Sequence, residues 1–298
     1  VKRISGIIML VMLLALAVAP WAGAAEKGKT KKAAKVNRAP YTDPTTGMQF
    51  VWVPGGCYSM GDTFGGGGPS EKPVHEVCVD GFYIGKYEVT VEEYYKFVRE
   101  TGTHYPQWME SGSEYHYQSG SSDHYRKLGS ALTSDKNPIV GVSWNDSIAY
   151  AQWLSGKSGK RFRLPTEAEW EFAARSGGKK EKWAGTSSEA ELGEYAWYEK
   201  NSGERTHPVG QKRPNGLGLY DMSGNVWEWV SDWYGYYDED WFKLGARKNP
   251  QGAEGGSSRV ARGGSWDDAA GGARASRRRG STPGYRDLGF RLVLPPVQ

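Results

Sequence analysis

Two cysteines, five histidines and a mixed run of arginines and aspartates near the C-terminus are the residues of this 298-residue chain whose types could do chemistry. Cys57 and Cys78 stand in neighbouring strand-like segments. As a pair they suit a cross-strand disulfide, which an oxidising compartment permits. Closing a loop of about 20 residues would stabilise the fold by roughly 3 kcal/mol in the chain-entropy account. The other use of two thiols, a redox dithiol or a metal pair, usually carries Cys-x-x-Cys spacing, which is absent. His104, His116 and His124 share one long polar stretch, residues 102–137, and form the one clustered ligand set for a non-haem iron alternative. Their spacing matches no standard ligand pattern, so they also read as solvated loop residues. His75 lies in a strand pattern and His207 precedes Pro208, both structural placements. Trp266, Asp267, Asp268, Arg274, Arg277, Arg278, Arg279, Arg286 and Asp287 mix the two signs of charge. Arginines in such a run can clamp a carboxylate or phosphate bidentately. Equally, they can tie loops together through internal salt bridges. No Ser-His-Asp signature, phosphate loop or dinucleotide fingerprint is present.

The elements that must position these residues are short. Thr90-Val91-Glu92-Glu93 and Thr166-Glu167-Ala168-Glu169 are capping boxes, and Ser143 opens another helix ahead of Trp144, Ile148 and Ala151. Gly102, Gly156 and Gly177-Gly178 mark the stops. Strand-like alternation runs over Met48–Val53, Val74–Val79, Phe82–Ile84, Val226–Val230 and Phe290–Leu294. The rest is rich in Gly, Ser and Asn. Glycine, at 41 residues, has roughly twice its usual share. The thirteen tryptophans suggest loops pinned by large aromatic anchors. Residues 102–137 form an insertion with Tyr105, Trp108, Tyr115, Tyr117 and Tyr125, whose rings are expected to offer exposed contact area. The pattern predicts an irregular α+β domain over residues 41–298.

Ahead of it, Lys2 and Arg3 precede an apolar run from Ile7 to Ala19, and Ala22-Gly23-Ala24 is a small-x-small cleavage site. Residues 1–25 therefore read as a secretory signal, and Val1 suits a bacterial alternative start codon. Residues 26–40 read as a basic linker with weak affinity for an anionic envelope surface. Residues 1–38 carry eight bases against Glu26, so the net charge of +4 leaves about −3 for the remainder. A nucleic-acid role loses its support there.

The motifs are specific as an ordered set: Val53-Pro54-Gly55-Gly56, Met60-Gly61, Glu71-Lys72-Pro73-Val74-His75, Phe82 to Thr90, Pro138 to Trp144, Arg163-Leu164-Pro165-Thr166-Glu167, Asn215-Gly216-Leu217-Gly218-Leu219-Tyr220-Asp221, Gly224-Asn225-Val226-Trp227-Glu228-Trp229, Arg262-Gly263-Gly264-Ser265-Trp266 and Gly289-Phe290-Arg291. Over residues 48–294 the chain resembles the formylglycine-generating enzyme, or sulfatase-modifying factor, family. Its relatives include ergothioneine-synthesis iron enzymes and PvdO-type siderophore-maturation proteins. The resemblance implies a C-type-lectin-like fold with little regular structure.

It also implies a copper(I) site of two cysteines just beyond the Arg-Gly-Gly-Ser-aromatic motif, because soft thiolates select Cu(I). Here that stretch, Trp266 to Arg274, holds no cysteine, so no copper is expected. Ala151 and Leu292 stand where many relatives have structural cysteines. The stretch would line the family's groove, with Trp266, Asp267, Asp268, Arg274 and Arg278 as candidate ligand contacts. The resemblance further implies structural calcium at Asn215, Gly216 and Gly218, where hard oxygens and curling glycines suit the ion, with a second site near Trp197, Asn201 and Gly203. Glu167, Glu169 and Glu228 would be caps and loop anchors.

The expectation is an exported periplasmic or extracellular family domain without formylglycine-generating chemistry, acting as a binding or accessory module for a peptide, protein or glycan. The alternative is a PvdO-like maturation enzyme that uses another metal. If the leader is cleaved as read, mass analysis of the secreted chain is expected to find its N-terminus near Ala25.

Overall fold

A computed structural model describes residues 38–237, 247–282 and 286–296. The expected signal, residues 1–25, and the linker up to residue 37 lie outside the described residues. Among the described residues no helix is long and apolar enough to cross a membrane.

Eleven short strands form three sheets among the described residues. The first is antiparallel and joins the two ends of the domain: β1 (Tyr41–Thr42), β2 (Gln49–Val53), β5 (Phe82–Gly85) and β11 (Val293–Leu294). The second runs β10 (Leu288–Phe290), β6 (Trp227–Trp233), β8 (Arg259–Arg262) and β9 (Arg278–Ser281), with β10 parallel to β6. The third is β3 (Gly56–Met60), β4 (His75–Val79) and β7 (Arg247–Lys248). Cys57 and Cys78 sit directly opposite each other on β3 and β4 and form the expected disulfide.

The helices begin where their caps predict. Thr90, Ser143 and Thr166 each accept a hydrogen bond from the backbone N–H three residues on, and the acid there accepts one from the cap's own N–H, at the starts of α1 (Val91–Thr101), α2 (Trp144–Ser158) and α3 (Glu167–Ala174). The α2 helix passes Gly156 and ends at Gly159, whose left-handed backbone makes the cap. One expected strand divides. Phe290–Leu294 is split between β10 and β11, because the Arg291 side chain turns inward between two sheets.

The 102–137 insertion also differs from its expectation. Trp108 and Tyr125 are buried within the main core rather than displayed. The Trp108 indole donates to Val140 O at 2.8 Å, and the Tyr125 hydroxyl to Gln107 Oε1 at 2.9 Å. Each ring thus satisfies its polar atom internally while its apolar body leaves water. That core packs α1 and α2 on β10, with Tyr94 and Tyr150 edge-on to Phe290. A second core lies under α3, where Phe172 meets Tyr58 of β3.

Between the cores, Arg291 makes two bonds of 2.6 Å to Glu228 and donates to the carbonyls of Gly85 and Tyr220. The Trp170 indole completes the carboxylate at 2.8 Å. One pair therefore ties β6, β5, α3 and the 220 loop. Removing one member strands a buried charge, so Glu228→Gln is expected to cost about 3–5 kcal/mol in urea unfolding.

Candidate functional site

The stretch after β8 is a tight loop. Gly264 has φ 72°, and a Cβ there would lie 2.7 Å from the Ala273 Cα, so only glycine lets the loop's two arms touch. Asp268 stands at its centre. One oxygen, Oδ2, accepts from the Trp227 indole at 2.8 Å, the Ser265 N–H at 2.9 Å and the Ser265 hydroxyl at 2.6 Å. Beside it Asp287 receives Arg279 at 3.3 and 3.4 Å, and the Arg279 guanidinium lies 4.4 Å from the Trp227 ring centroid. Asp267 pairs with Arg286 at 3.1 Å, and Arg286 covers the Trp266 ring. Asp267 is half-exposed, and Arg279 and Arg286 are partly exposed, so this is a polar face with charges of both signs.

The other residues expected to line a groove here are internal. Trp266 is buried. Arg274 grips Glu71 with bonds of 2.6 and 2.9 Å, and Arg278 grips Glu167 with bonds of 2.7 and 2.8 Å. Burial would raise the Glu71 carboxyl, but its bonds to Arg274 and Ser276 outweigh that and hold it below its usual value. For these two arginines the salt-bridge reading is the correct one, because a guanidinium committed to a buried carboxylate has no fork left for a ligand.

The three histidines do not assemble an iron site. His104 bonds Asp146 at 2.8 Å beside the start of α2. His116 accepts from the Ser119 N–H within its own turn, and His124 lies edge-on to Tyr125. Among the described residues the one group of three close metal-type ligands is Cys57, Glu76 and Cys78, whose sulfurs are bonded to each other.

The two loops named for calcium do not form oxygen cradles either. The Asn215 carboxamide accepts from the Leu217 and Leu219 N–H groups and donates to the Ala173 and Ala174 carbonyls. The Lys179 ammonium lies 3.2 Å from where a Cβ on Gly216 would stand. The Asn201 side chain accepts from Tyr198 N and donates to the Ala196 carbonyl. Lys212 donates to Gly193 O at 2.6 Å and sits 3.7 Å over the Trp197 ring. Gly203 only turns the chain, at φ 63°. The asparagine oxygens of both loops are thus engaged by backbone N–H groups.

A cavity opens at the far edge of β6, lined partly by Arg278, His75 and Glu167, which the sequence singles out for other roles. Asp232, Trp233, Tyr236 and Tyr237 line it together with Glu167, His75 and Arg278, and its volume is about 380 Å³. Asp232 is buried, and its Oδ2 caps α3 by accepting from Glu167 N at 2.8 Å. Burial first, then the nearby Glu167 charge, pushes this carboxyl up to about 7. Burial pushes the His75 imidazole down, which favours its neutral form. The legible signal was a second acid in the strand that carries buried Glu228.

Compared with known proteins, residues 36–295 match the family described as the sulfatase-modifying factor enzyme 1-like (FGE-sulfatase) domain. The chain belongs to that family. It is 35% identical over 306 residues to the formylglycine-generating enzyme of Streptomyces coelicolor, covering 88% of this chain and 94% of that one. Among solved structures, Treponema denticola variable protein 1 is similar at 30% identity and TM-score 0.68, covering 87% of this chain and 99% of that one. PvdO from Pseudomonas aeruginosa is similar at 27% and 0.68, covering 88% and 100%. In this FGE-sulfatase domain, the stretch Trp266 to Arg274, where the family resemblance puts copper thiolates, holds no cysteine, and hard carboxylates do not suit Cu(I).

Two outcomes follow for the calcium loops. Dialysis against EGTA is expected to leave the melting temperature unchanged. Asn215→Ala, which strands buried backbone groups, is expected to cost about 2–3 kcal/mol with or without added calcium.

Proposed function

We propose that this FGE-sulfatase domain is an exported binding or accessory module of the cell envelope that does not generate formylglycine. The observation that carries this reading is that the chain's two cysteines are joined to each other on β3 and β4. No thiolate remains to hold Cu(I) or to take part in oxidation of a substrate cysteine. Asp268, in the loop where such chemistry would reside, is held by Trp227 and Ser265 as a structural acceptor.

The mixed-charge face of Asp267, Arg279, Arg286 and Asp287 is the surface that meets the partner, a peptide or another protein. Its arginines are only partly buried, and Arg286 pairs with the half-exposed Asp267, so that pair can reopen to a carboxylate or a peptide carbonyl. A glycan remains an outcome of the same binding measurements. Export is supported by the leader pattern of residues 1–25 and by the disulfide. Residues 26–40, rich in lysine, give a weak second contact with anionic envelope surfaces.

A second reading is supported by the likeness to PvdO: a maturation enzyme acting on a peptide or small molecule with a metal other than copper. Elemental analysis of the purified protein separates the two, because a stoichiometric redox metal would favour the enzyme.

The decisive assay supplies Cu(I), oxygen and a cysteine-containing peptide. The expected result is no aldehyde on the peptide and no oxygen uptake above the buffer control. Aldehyde formation would overturn the reading.

A further inference from the structure

The cavity beside β6 is remote in role from the polar face and is built for a ligand of a different kind. Of the two Asp232 oxygens, Oδ2 is satisfied by Glu167 N at 2.8 Å and the Ser231 hydroxyl at 2.9 Å. Oδ1 receives no hydrogen bond from the described residues, although Asp232 is only 3% exposed and lines the cavity. Gly252 packs against the Asp232 side chain, and only a residue without a side chain fits there. Its φ is 73°, and a Cβ there would lie 2.7 Å from Oδ1. A buried carboxylate oxygen that faces an open cavity without a partner costs free energy until something donates to it.

The remaining charges around the cavity decide the sign of that donor. Arg278 is neutralised by its two bonds to Glu167, and its guanidinium lies against the Tyr237 ring at 4.3 Å. The groups left over are Asp232 inside, Glu254 at the exposed rim and Arg259, which donates to the Ser231 carbonyl and stacks 3.4 Å over the Trp233 ring. The walls are Trp233, Tyr236 and Ala253, so the body that fits is apolar or aromatic. A volume of about 380 Å³ sits at the lower end of the roughly 300–1,000 Å³ typical of small-molecule sites.

We propose that this cavity binds a small organic ammonium, a primary amine on an aromatic or apolar body, with the ammonium donating to Asp232 Oδ1 and the body packed on Trp233 and Tyr236. The Tyr236 ring, exposed at the cavity, adds cation–π attraction to the charged bond, while Arg259 covers a face of Trp233. The charged or titratable groups that face Asp232 or the cavity are Glu167 on α3, Arg163 ahead of it, Arg259 on β8, Arg278 on β9, His75 on β4, and Tyr236, Tyr237 and Glu254 beyond β6. With Glu167 and Arg278 paired and His75 favouring its neutral form, Asp232 is the group that titrates near neutrality. Ionised Asp232 binds the cation and protonated Asp232 does not, so affinity rises with pH from 6 to 8.

The test is calorimetric titration of the full mature chain with phenethylamine, and with 2-phenylethanol as the uncharged counterpart. Saturable one-to-one binding of the amine, tightening severalfold between pH 6 and 8, and at least tenfold weaker binding of the alcohol are the expected results. Asp232→Asn keeps the oxygen that caps α3 and is expected to lose tenfold or more in affinity and its pH dependence. Should that variant fail to fold, Glu254→Lys at the exposed rim is expected to fold and to weaken the amine severalfold. A lysine-containing peptide is the third ligand, since a lysine side chain presents the same ammonium. Binding of the peptide in place of the free amine, equal binding of amine and alcohol, or unchanged binding by both variants would overturn the proposal.

Discussion

Buried guanidinium–carboxylate pairing is the interaction on which the rest of this structure depends. Glu71, Glu167, Glu171 and Glu228 are all buried, and each is met by arginine: Arg274, Arg278, Arg262 with Arg175, and Arg291. The described strands are short, the longest being the seven residues of β6, and much of the chain is loop. Loops cannot satisfy their backbone carbonyls through ladders. A planar guanidinium can grip one carboxylate with two donors and use the others on carbonyls, as Arg291 does with Gly85 and Tyr220. The same residues hold separate elements in register and complete their hydrogen bonding. The desolvation cost is high, so losing one partner is far worse than never having had the pair.

That constraint governs what the candidate sites can be. Arginines and glutamates that look from a distance like binding or acid–base machinery are consumed in holding loops. What remains for function are the groups this network leaves over: the partly exposed charges around Asp287, and Asp232, which caps α3 with one oxygen and leaves the other facing a cavity. The two cysteines are likewise committed, to the β3–β4 pair. Family membership sets the frame, and the chemistry within it follows from which donors are still free.

Cations in this fold illustrate the same economy. Lys212 over Trp197 and Lys179 beside Gly216 bring positive charge from within the chain to loops where a metal is expected from the family resemblance. A tethered ammonium loses no translational freedom when it docks and needs no oxygen cage. The asparagines of those loops then serve as backbone caps, which is the ordinary work of an Asx turn.

Much of the local structure was legible in the residues themselves. Capping boxes at Thr90, Ser143 and Thr166 act over three residues, so their type and spacing suffice to place a helix start. The disulfide was readable because the chain's two cysteines stand in neighbouring strand-like segments, and the loss of the family's thiols is a matter of composition alone. Three things were decided only by tertiary structure: the inward course of Trp108 and Tyr125, the choice between ligand clamp and salt bridge for Arg274 and Arg278, and the cavity at Asp232. Arg274 and Glu71 are 203 residues apart, and Arg278 and Glu167 are 111. A charged side chain has the same identity whether it faces water or a buried partner. Which one it meets depends on the packing of distant segments, and no local period records that.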